Sequence, residues 1–194
     1  MKLKTIAAVI GSPITQSLSP AIHNAAFTQM SKPWRYVAID VDGEYFEEEV
    51  LAARDAGMLG LSITMPHKVA AFALVQHRDE IAQRSGSVNT IIFDDAGTLR
   101  GANTDGDGCC DALVRGGATI EGSRAVVLGA GGTARAVVAA LGLRGAADIA
   151  IVNRTQSRAD EASECADVAR VGSESDIADA TLLINTTSVG MGTS

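Results

Sequence analysis

Four lysines occur in the chain, Lys2, Lys4, Lys32 and Lys68. Lys68 alone follows an apolar run and a proline, in Leu61-Ser62-Ile63-Thr64-Met65-Pro66-His67-Lys68. Such a run reads as a strand of a parallel sheet, and parallel sheets bind ligands beyond the carboxyl ends of their strands. A cation in the first helical turn past that end opposes the helix dipole and calls for a carboxylate or a substrate to compensate it. The same lysine also fits an exposed helix position with no ligand. In Gly101-Ala102-Asn103-Thr104-Asp105-Gly106 an acid stands at the junction of two series of elements, where a cleft between domains would form. Asp105 equally suits the cap of the helix that follows it. Ser17 and Ser19 lie at the mouth of the first strand and Asn89 and Thr90 at another strand end, and caps or turns also account for them.

A second chemistry is carried by Leu128-Gly129-Ala130-Gly131-Gly132-Thr133-Ala134-Arg135, which follows a strand and opens a helix. Gly129, Gly131 and Ala134 fit the G-x-G-x-x-A pattern. The first glycine permits a tight turn, the second lets the backbone approach a pyrophosphate, and the alanine lets the helix pack close to the strand. The helix N-terminus then faces the negative charge. The next strand runs into Asn153-Arg154-Thr155, where an NAD site would carry an acid for the ribose hydroxyls. Arginine there can hold a 2'-phosphate through two donors at once, and Arg158 is expected four residues on along the same helical face. The implied cofactor is NADP; a solvated surface arginine is the bland alternative.

The elements that position these residues alternate. Strand Ile6–Ile10 precedes helix Pro20–Met30, which Ser19 is suited to cap; strand 36–41 precedes helix 44–56; strand 59–64 precedes a helix opening at Pro66. Alternation of this kind implies a parallel sheet. Residues 88–93 and 98–103 read as a hairpin around Asp94-Asp95-Ala96-Gly97, an antiparallel edge on the first domain. After helix 105–115 a second series begins, with strands 125–128, 148–152, 168–171 and 181–185 and helices 132–142 and 156–166. The expected architecture is α/β with two domains. Residues 1–104 form a mostly parallel substrate-binding and catalytic domain, and residues 105–194 an NADP-binding Rossmann domain. Four strands against about six in a complete Rossmann sheet make that second domain incomplete.

With 194 residues, 46% of them apolar, the chain can bury a substantial core. Its 16 basic residues are outnumbered by 23 acidic ones, so it lacks the basic footprint of a nucleic-acid binder. Cys109, Cys110 and Cys165 are odd in number and lack C-x-x-C spacing, which fits reduced thiols and a cytoplasmic location. The opening apolar run is broken at Gly11-Ser12-Pro13, too soon for a signal peptide, and no later run is long enough to span a bilayer. His23, His67 and His77 show no metal-binding spacing, so no metal is expected.

Six runs appear here in the order and spacing found in shikimate dehydrogenases. They are Gly11-Ser12-Pro13-Ile14-Thr15-Gln16-Ser17-Leu18-Ser19-Pro20-Ala21-Ile22-His23-Asn24, Thr64-Met65-Pro66-His67-Lys68, Ser87-Val88-Asn89-Thr90, Gly101-Ala102-Asn103-Thr104-Asp105, Gly129-Ala130-Gly131-Gly132 and Asn153-Arg154-Thr155. The chain resembles that family along nearly its whole length. The resemblance implies that Ser17, Ser19, Thr64, Asn89 and Asp105 hold a substrate's hydroxyls and carboxylate, and that Lys68 and Asp105 form the catalytic pair. It further implies that NADP lies against Gly129, Ala130, Gly131, Gly132 and Thr133 and against Asn153, Arg154, Thr155 and Arg158.

In two respects the sequence departs from the family pattern. Many members carry Asn where Ser62 stands, which makes one polar contact shorter or routes it through water. The family also continues past position 194 with further Rossmann strands, a nicotinamide-side contact and a returning helix bearing a substrate-binding Gln, so the chain is expected to lack the C-terminal part. The implied reaction is reversible NADPH-dependent reduction of 3-dehydroshikimate to shikimate, a step of aromatic amino-acid biosynthesis. A quinate-accepting dehydrogenase and a non-catalytic shikimate-binding relative are the alternatives. The expected partner is a small-molecule substrate, without nucleic acid or membrane, and a homodimer is compatible with this reading.

Overall fold

The computed structural model describes residues 4–187, 189 and 190. They fall into two units, the first made of residues up to 79 with 87–102, the second of residues 80–86 with those from 103 onward.

In the first unit the opening apolar run forms the middle of β1 (Lys4–Gly11). β1 is flanked in parallel by β2 (Trp34–Asp40) and β3 (Gly60–Ile63). Helices α1 (Ser19–Gln29) and α2 (Phe46–Asp55) make the crossovers. Helix α2 buries Phe46, Val50 and Ala53, the i, i+4, i+7 spacing of one helical face. Helix α1 is held differently. None of its residues is buried, but Asn24 clamps the open edge of β2, donating to the Tyr36 carbonyl and accepting the Tyr36 N–H, both at 2.9 Å. Pairing of that kind satisfies edge groups that would otherwise be open to another strand.

Beyond α3 (Lys68–Leu74) the hairpin expected from residues 88–103 forms as β5 (Thr90–Phe93) and β6 (Leu99–Ala102). β5 runs antiparallel to both β3 and β6. A two-residue strand, β4 (His77–Arg78), pairs in parallel with β6 and ends the sheet, whose order is β2-β1-β3-β5-β6-β4. The reversed strand therefore lies inside the sheet. Helix α3 starts at Lys68 and not at Pro66, which sits in the turn before it after a cis Met65–Pro66 bond.

The second unit gathers α4 (Glu80–Ser85) and α5 (Asp105–Arg115) with a parallel sheet of order β10-β7-β8-β9. Its strands are β7 (Arg124–Leu128), β8 (Asp148–Val152), β9 (Ala169–Val171) and β10 (Leu182–Asn185). Helix α6 (Gly132–Leu143) is buried almost all round, because the sheet covers one side of it and α4 and α5 cover the other. Close approach of α5 is possible because Gly106 has no Cβ; one there would collide with the Ala136 carbonyl oxygen. Helix α7 (Gln156–Ser163) covers the β8–β9 crossover and ends three residues before the expected position 166. On one sheet face Val127, Ile149, Ile151, Leu182 and Ile184 join the core formed with α6.

Candidate active site

The chemistry-bearing residues of the first unit collect at one end of its sheet. As β1 leaves the sheet, Ser12 N–H donates to the Met65 carbonyl at 3.0 Å, while Thr64 N–H donates to Ile10 at 2.9 Å, so the loops after β1 and β3 are tied together. A Cβ on Gly11 would run into the Thr64 methyl and lie 2.8 Å from the Met65 carbonyl oxygen, so only glycine lets them approach so closely. Ser17 and Ser19 follow, both half-buried, with Ser19 N–H 3.4 Å from Ser17 Oγ. The expectation that Ser19 caps α1 is not met. Ser19 is already helical, Pro20 follows it, and Leu18 occupies the cap position without a side-chain hydrogen bond.

Lys68 begins α3, and its carbonyl accepts the Val88 N–H at 2.9 Å. The turn presenting it is anchored by His67, which is 2% exposed, stacks on Phe46 at 4.8 Å, and has Nε2 2.7 Å from the Val41 carbonyl oxygen. A ring nitrogen facing a carbonyl must carry the proton, so Nε2 donates there. Asn89 bridges two strands, its N–H donating to Ala102 at 3.0 Å and its carbonyl accepting from Ile63 at 2.7 Å. Its Oδ1 accepts the Thr90 hydroxyl at 2.9 Å. Ser17, Ser19, Thr64, Lys68 and Asn89 thus stand beyond the carboxyl ends of β1 and β3 and the amino end of the reversed β5, which is the same end of the sheet.

In the second unit Asp105 is the first residue of α5, and its N–H donates to Oδ1 of the buried Asn103 at 3.0 Å. Asp105 is therefore not the helix cap; Thr104 holds that position and makes no side-chain capping bond. Asp105 and Asp107 in the first turn complement the helix dipole. Arg144, after α6, grips Asp107 at 2.6 Å and Asp111 at 2.8 Å and fixes α5 against α6.

The glycine turn takes the expected form. Gly129 has φ +105, a conformation that disfavours side chains, and its N–H donates to Val152 at 2.9 Å. Gly131 stands at the cap of α6, and a Cβ there would meet nothing within 4 Å. Gly132 opens α6, Thr133 is exposed and Ala134 is fully buried. Ala130 is buried beside Gly129. Because Leu128 pairs with Val152, the loops after β7 and β8 leave the sheet as neighbours, which brings Gly129–Thr133 and Asn153–Thr155 to one edge. Asn153 Nδ2 donates to the Thr155 carbonyl at 2.9 Å, Arg154 is exposed, and Thr155 precedes α7 in extended conformation. Arg158 is exposed in the first turn of α7. Arg154 lies before that helix, so the two arginines do not share a helical face as expected.

Nothing in the residue pattern singles out Thr186, yet it belongs to this edge. Following β10, its N–H and hydroxyl both reach the Leu128 carbonyl, at 2.9 and 2.7 Å, directly against Gly129. Its position just past an apolar strand was the available signal. Among the described residues no cluster of His, Cys, Asp or Glu is placed to hold a metal ion. Burial pushes the thiols of Cys110 and Cys165 up to about 11, which leaves them protonated and unreactive at neutral pH.

Residues 9–91 match the family described as "Shikimate dehydrogenase substrate binding domain", and residues 113–188 match "Shikimate / quinate 5-dehydrogenase". The shikimate dehydrogenase (NADP(+)) of Mesorhizobium japonicum is 46% identical over 191 residues, covering 94% of this chain and 67% of that protein. The enzyme of the same name from Methanosarcina barkeri is 40% identical over 200 residues, covering 97% and 71%. The chain belongs to the shikimate dehydrogenase family. The resemblance read from six motifs is therefore borne out, and the family membership covers both units.

Solved members of the family share the fold. The shikimate 5-dehydrogenase of Listeria monocytogenes, crystallised with shikimate and NAD, superposes with a TM-score of 0.90 at 31% identity, over 98% of this chain and 70% of that one. The Thermus thermophilus enzyme, in complex with NADP(H) and shikimate, gives 0.86 at 36% identity, over 95% and 69%. This chain thus spans about 70% of the length of these relatives.

Proposed function

We propose that this chain is a shikimate dehydrogenase, reversibly reducing 3-dehydroshikimate to shikimate with NADPH in the biosynthesis of aromatic amino acids. The observation that carries the reading is the joint presence, in one chain 46% identical to an enzyme of that name, of the Lys68 and Asp105 motifs and the arginine-bearing glycine-turn edge. In this reading residues 1–104, together with Asp105, bind and transform the substrate, and the rest of residues 105–194 binds NADP. The location is cytoplasmic, as the unpaired cysteine pattern supports. No helix among the described residues is long and apolar enough to cross a membrane.

The second unit fits the cofactor. The open space over Gly131 leaves room for a pyrophosphate at the N-terminus of α6, whose dipole favours its charge, and exposed Arg154, assisted by Arg158, supplies donors for a 2'-phosphate. Ala130, Gly132 and Thr133 complete the turn, with Asn153 and Thr155 shaping the loop that presents Arg154. When bound, NADP supplies the hydride-transfer chemistry.

Hydride arrival at a ketone carbon leaves negative charge on its oxygen, so a proton donor must stand within hydrogen-bond reach. Lys68 is assigned that proton, giving it to the carbonyl oxygen in reduction and taking it from the hydroxyl in oxidation. Asp105 orients the substrate and compensates the ammonium charge. Ser17, Ser19, Thr64 and Asn89 hold the remaining oxygens of the small polar acid. The test is NADPH formation from shikimate by this chain, run beside a chimera that carries the final third of the Mesorhizobium enzyme. Turnover by either supports the assignment; binding of shikimate by both without turnover would leave a binding protein in its place. Quinate is the rival substrate, since a quinate dehydrogenase from Corynebacterium glutamicum, in complex with NAD, shares the fold at a TM-score of 0.85 and 28% identity. Rates on both acids with both cofactors separate the two.

A further inference from the structure

The face of the first sheet that carries Thr64 holds a polar group with no assigned part. Tyr36 on β2 packs with Val9 and Ile14 in one buried cluster. Val9 is paired in register with Ser62 on β3, and Ser62 with Thr90 on β5, so these side chains share one face of the sheet. Ser62 and Thr64 are two positions apart and lean to the same side. The Tyr36 ring is 4% exposed and stacked on His23 at 4.3 Å, and both its backbone polar groups are held by Asn24. Its hydroxyl is fully buried and has no hydrogen-bond partner among the described residues. Burial raises the phenol's pKa, and the Ser62 hydroxyl, near enough to oppose that shift, does not complete a hydrogen bond with it. The group is therefore a protonated donor without an acceptor, in a rigid frame. Leaving such a donor unmade is unfavourable unless something that accepts arrives.

We infer that the Tyr36 hydroxyl, with Ser62 beside it, is the floor of the substrate position and donates to an oxygen of the bound hydroxylated ring acid, making Tyr36 a specificity-determining residue. The inference rests on the proposed substrate class. An oxygen-rich ring brings acceptors on several carbons, whereas an apolar ligand would leave the phenol unpaired.

Tyr36→Phe removes one oxygen while keeping the ring, its stacking and the Asn24 clamp, so it should fold. Calorimetric titration with shikimate should show affinity reduced about five- to tenfold, the effect of losing one neutral hydrogen bond. The melting temperature of the ligand-free protein should not fall and should rise slightly, since an unpaired buried donor is removed, and the affinity for NADP+ should be unchanged. In the chimera the shikimate KM should rise by the same factor with kcat within about twofold, a split expected of binding shared by ground and transition states. Ser62→Ala should give a smaller loss in the same direction. Unchanged shikimate affinity in Tyr36→Phe, while the parent chain binds shikimate, would overturn the inference and leave the proposed function intact; a parent chain that binds no shikimate would remove both.

Discussion

Gly129 and Thr186 meet where β7 and β10 leave the sheet. A Cβ on Gly129 would lie 2.8 Å from Thr186 Oγ1, whose hydroxyl is already committed to the Leu128 carbonyl at 2.7 Å. With φ +105 as well, Gly129→Ala is strained both in backbone and in space, and should lower stability by about 1–3 kcal/mol. Gly131→Ala is the informative contrast. At φ −81 with open space around its Cβ it should melt as the parent does, while its methyl group occupies the place where a pyrophosphate would approach. Thermal melts and NADP+ titrations of both variants check this. A Gly131→Ala protein with full NADP+ affinity would mean that the cofactor does not lie against this turn.

Arg154 decides the choice of cofactor in this reading. It is exposed in the loop after β8, and no acid takes the neighbouring positions Asn153 and Thr155. Arg154→Ser should raise the KM for NADP+ about tenfold to a hundredfold, the range for losing a charge-assisted hydrogen bond, and leave NAD+ kinetics nearly unchanged. Arg158→Ala should have a smaller effect, since Arg158 lies on α7 and not in the loop itself. Equal losses with NAD+ and NADP+ in Arg154→Ser would show that the guanidinium does not contact the phosphate that distinguishes them.

Much of this edge was legible because its constraints are local. A short apolar strand, a glycine that must take positive φ and a buried small residue opening a helix can be read along the chain. The bond from Thr186 to Leu128 could not, since it spans 58 positions. The same limit hid α4. Six residues carry too little periodicity to read, and Ile81 packs into the core of the second unit although it lies between segments of the first. Two-residue β4 was equally silent, because a strand that short shows no alternation. Ser19, Asp105 and Pro66 mislead in a shared way. Each is a residue type favoured at helix starts, and the backbone places Ser19 and Asp105 one position later than a cap and Pro66 two positions before the helix.

Lys68 and Asp105 should fail together. If Lys68 handles the proton and Asp105 orients that transfer, Lys68→Ala should lower kcat about 10²–10⁴-fold with little change in the shikimate KM. Asp105→Asn should also act mainly on kcat. The double variant should then be no slower than the worse single one, as for residues acting as one unit. Strictly multiplicative losses would assign the two side chains to independent tasks, and a loss carried mostly by KM would make Lys68 a binding residue.

A pH-dependent part of the fold lies at the far end of the second sheet. Arg170 on β9 donates to Asp148 at 2.8 Å and to Asp176 at 2.6 Å, and the Ser173 N–H adds a bond to Asp176 at 2.7 Å. The Arg170 guanidinium, with that N–H, holds the Asp176 carboxyl at about 2, below the ordinary 3.8. A depressed folded-state pKa means that the unfolded chain binds a proton first, so the stabilisation is whole above about 3.8 and is lost as pH falls through about 2. Asp176→Asn removes the titrating group. Its melting temperature should lie below the parent's near neutral pH, by a small margin because its Arg170 partner is solvent-exposed. The gap should then close as both proteins are taken toward pH 2, where the parent's carboxylate also loses its charge. Added salt should narrow the gap at neutral pH too, since ions screen an exposed pair. A gap that stayed constant across the acid range would trace the destabilisation to the Ser173 turn and its uncharged hydrogen bonds, and not to the Arg170 ion pair.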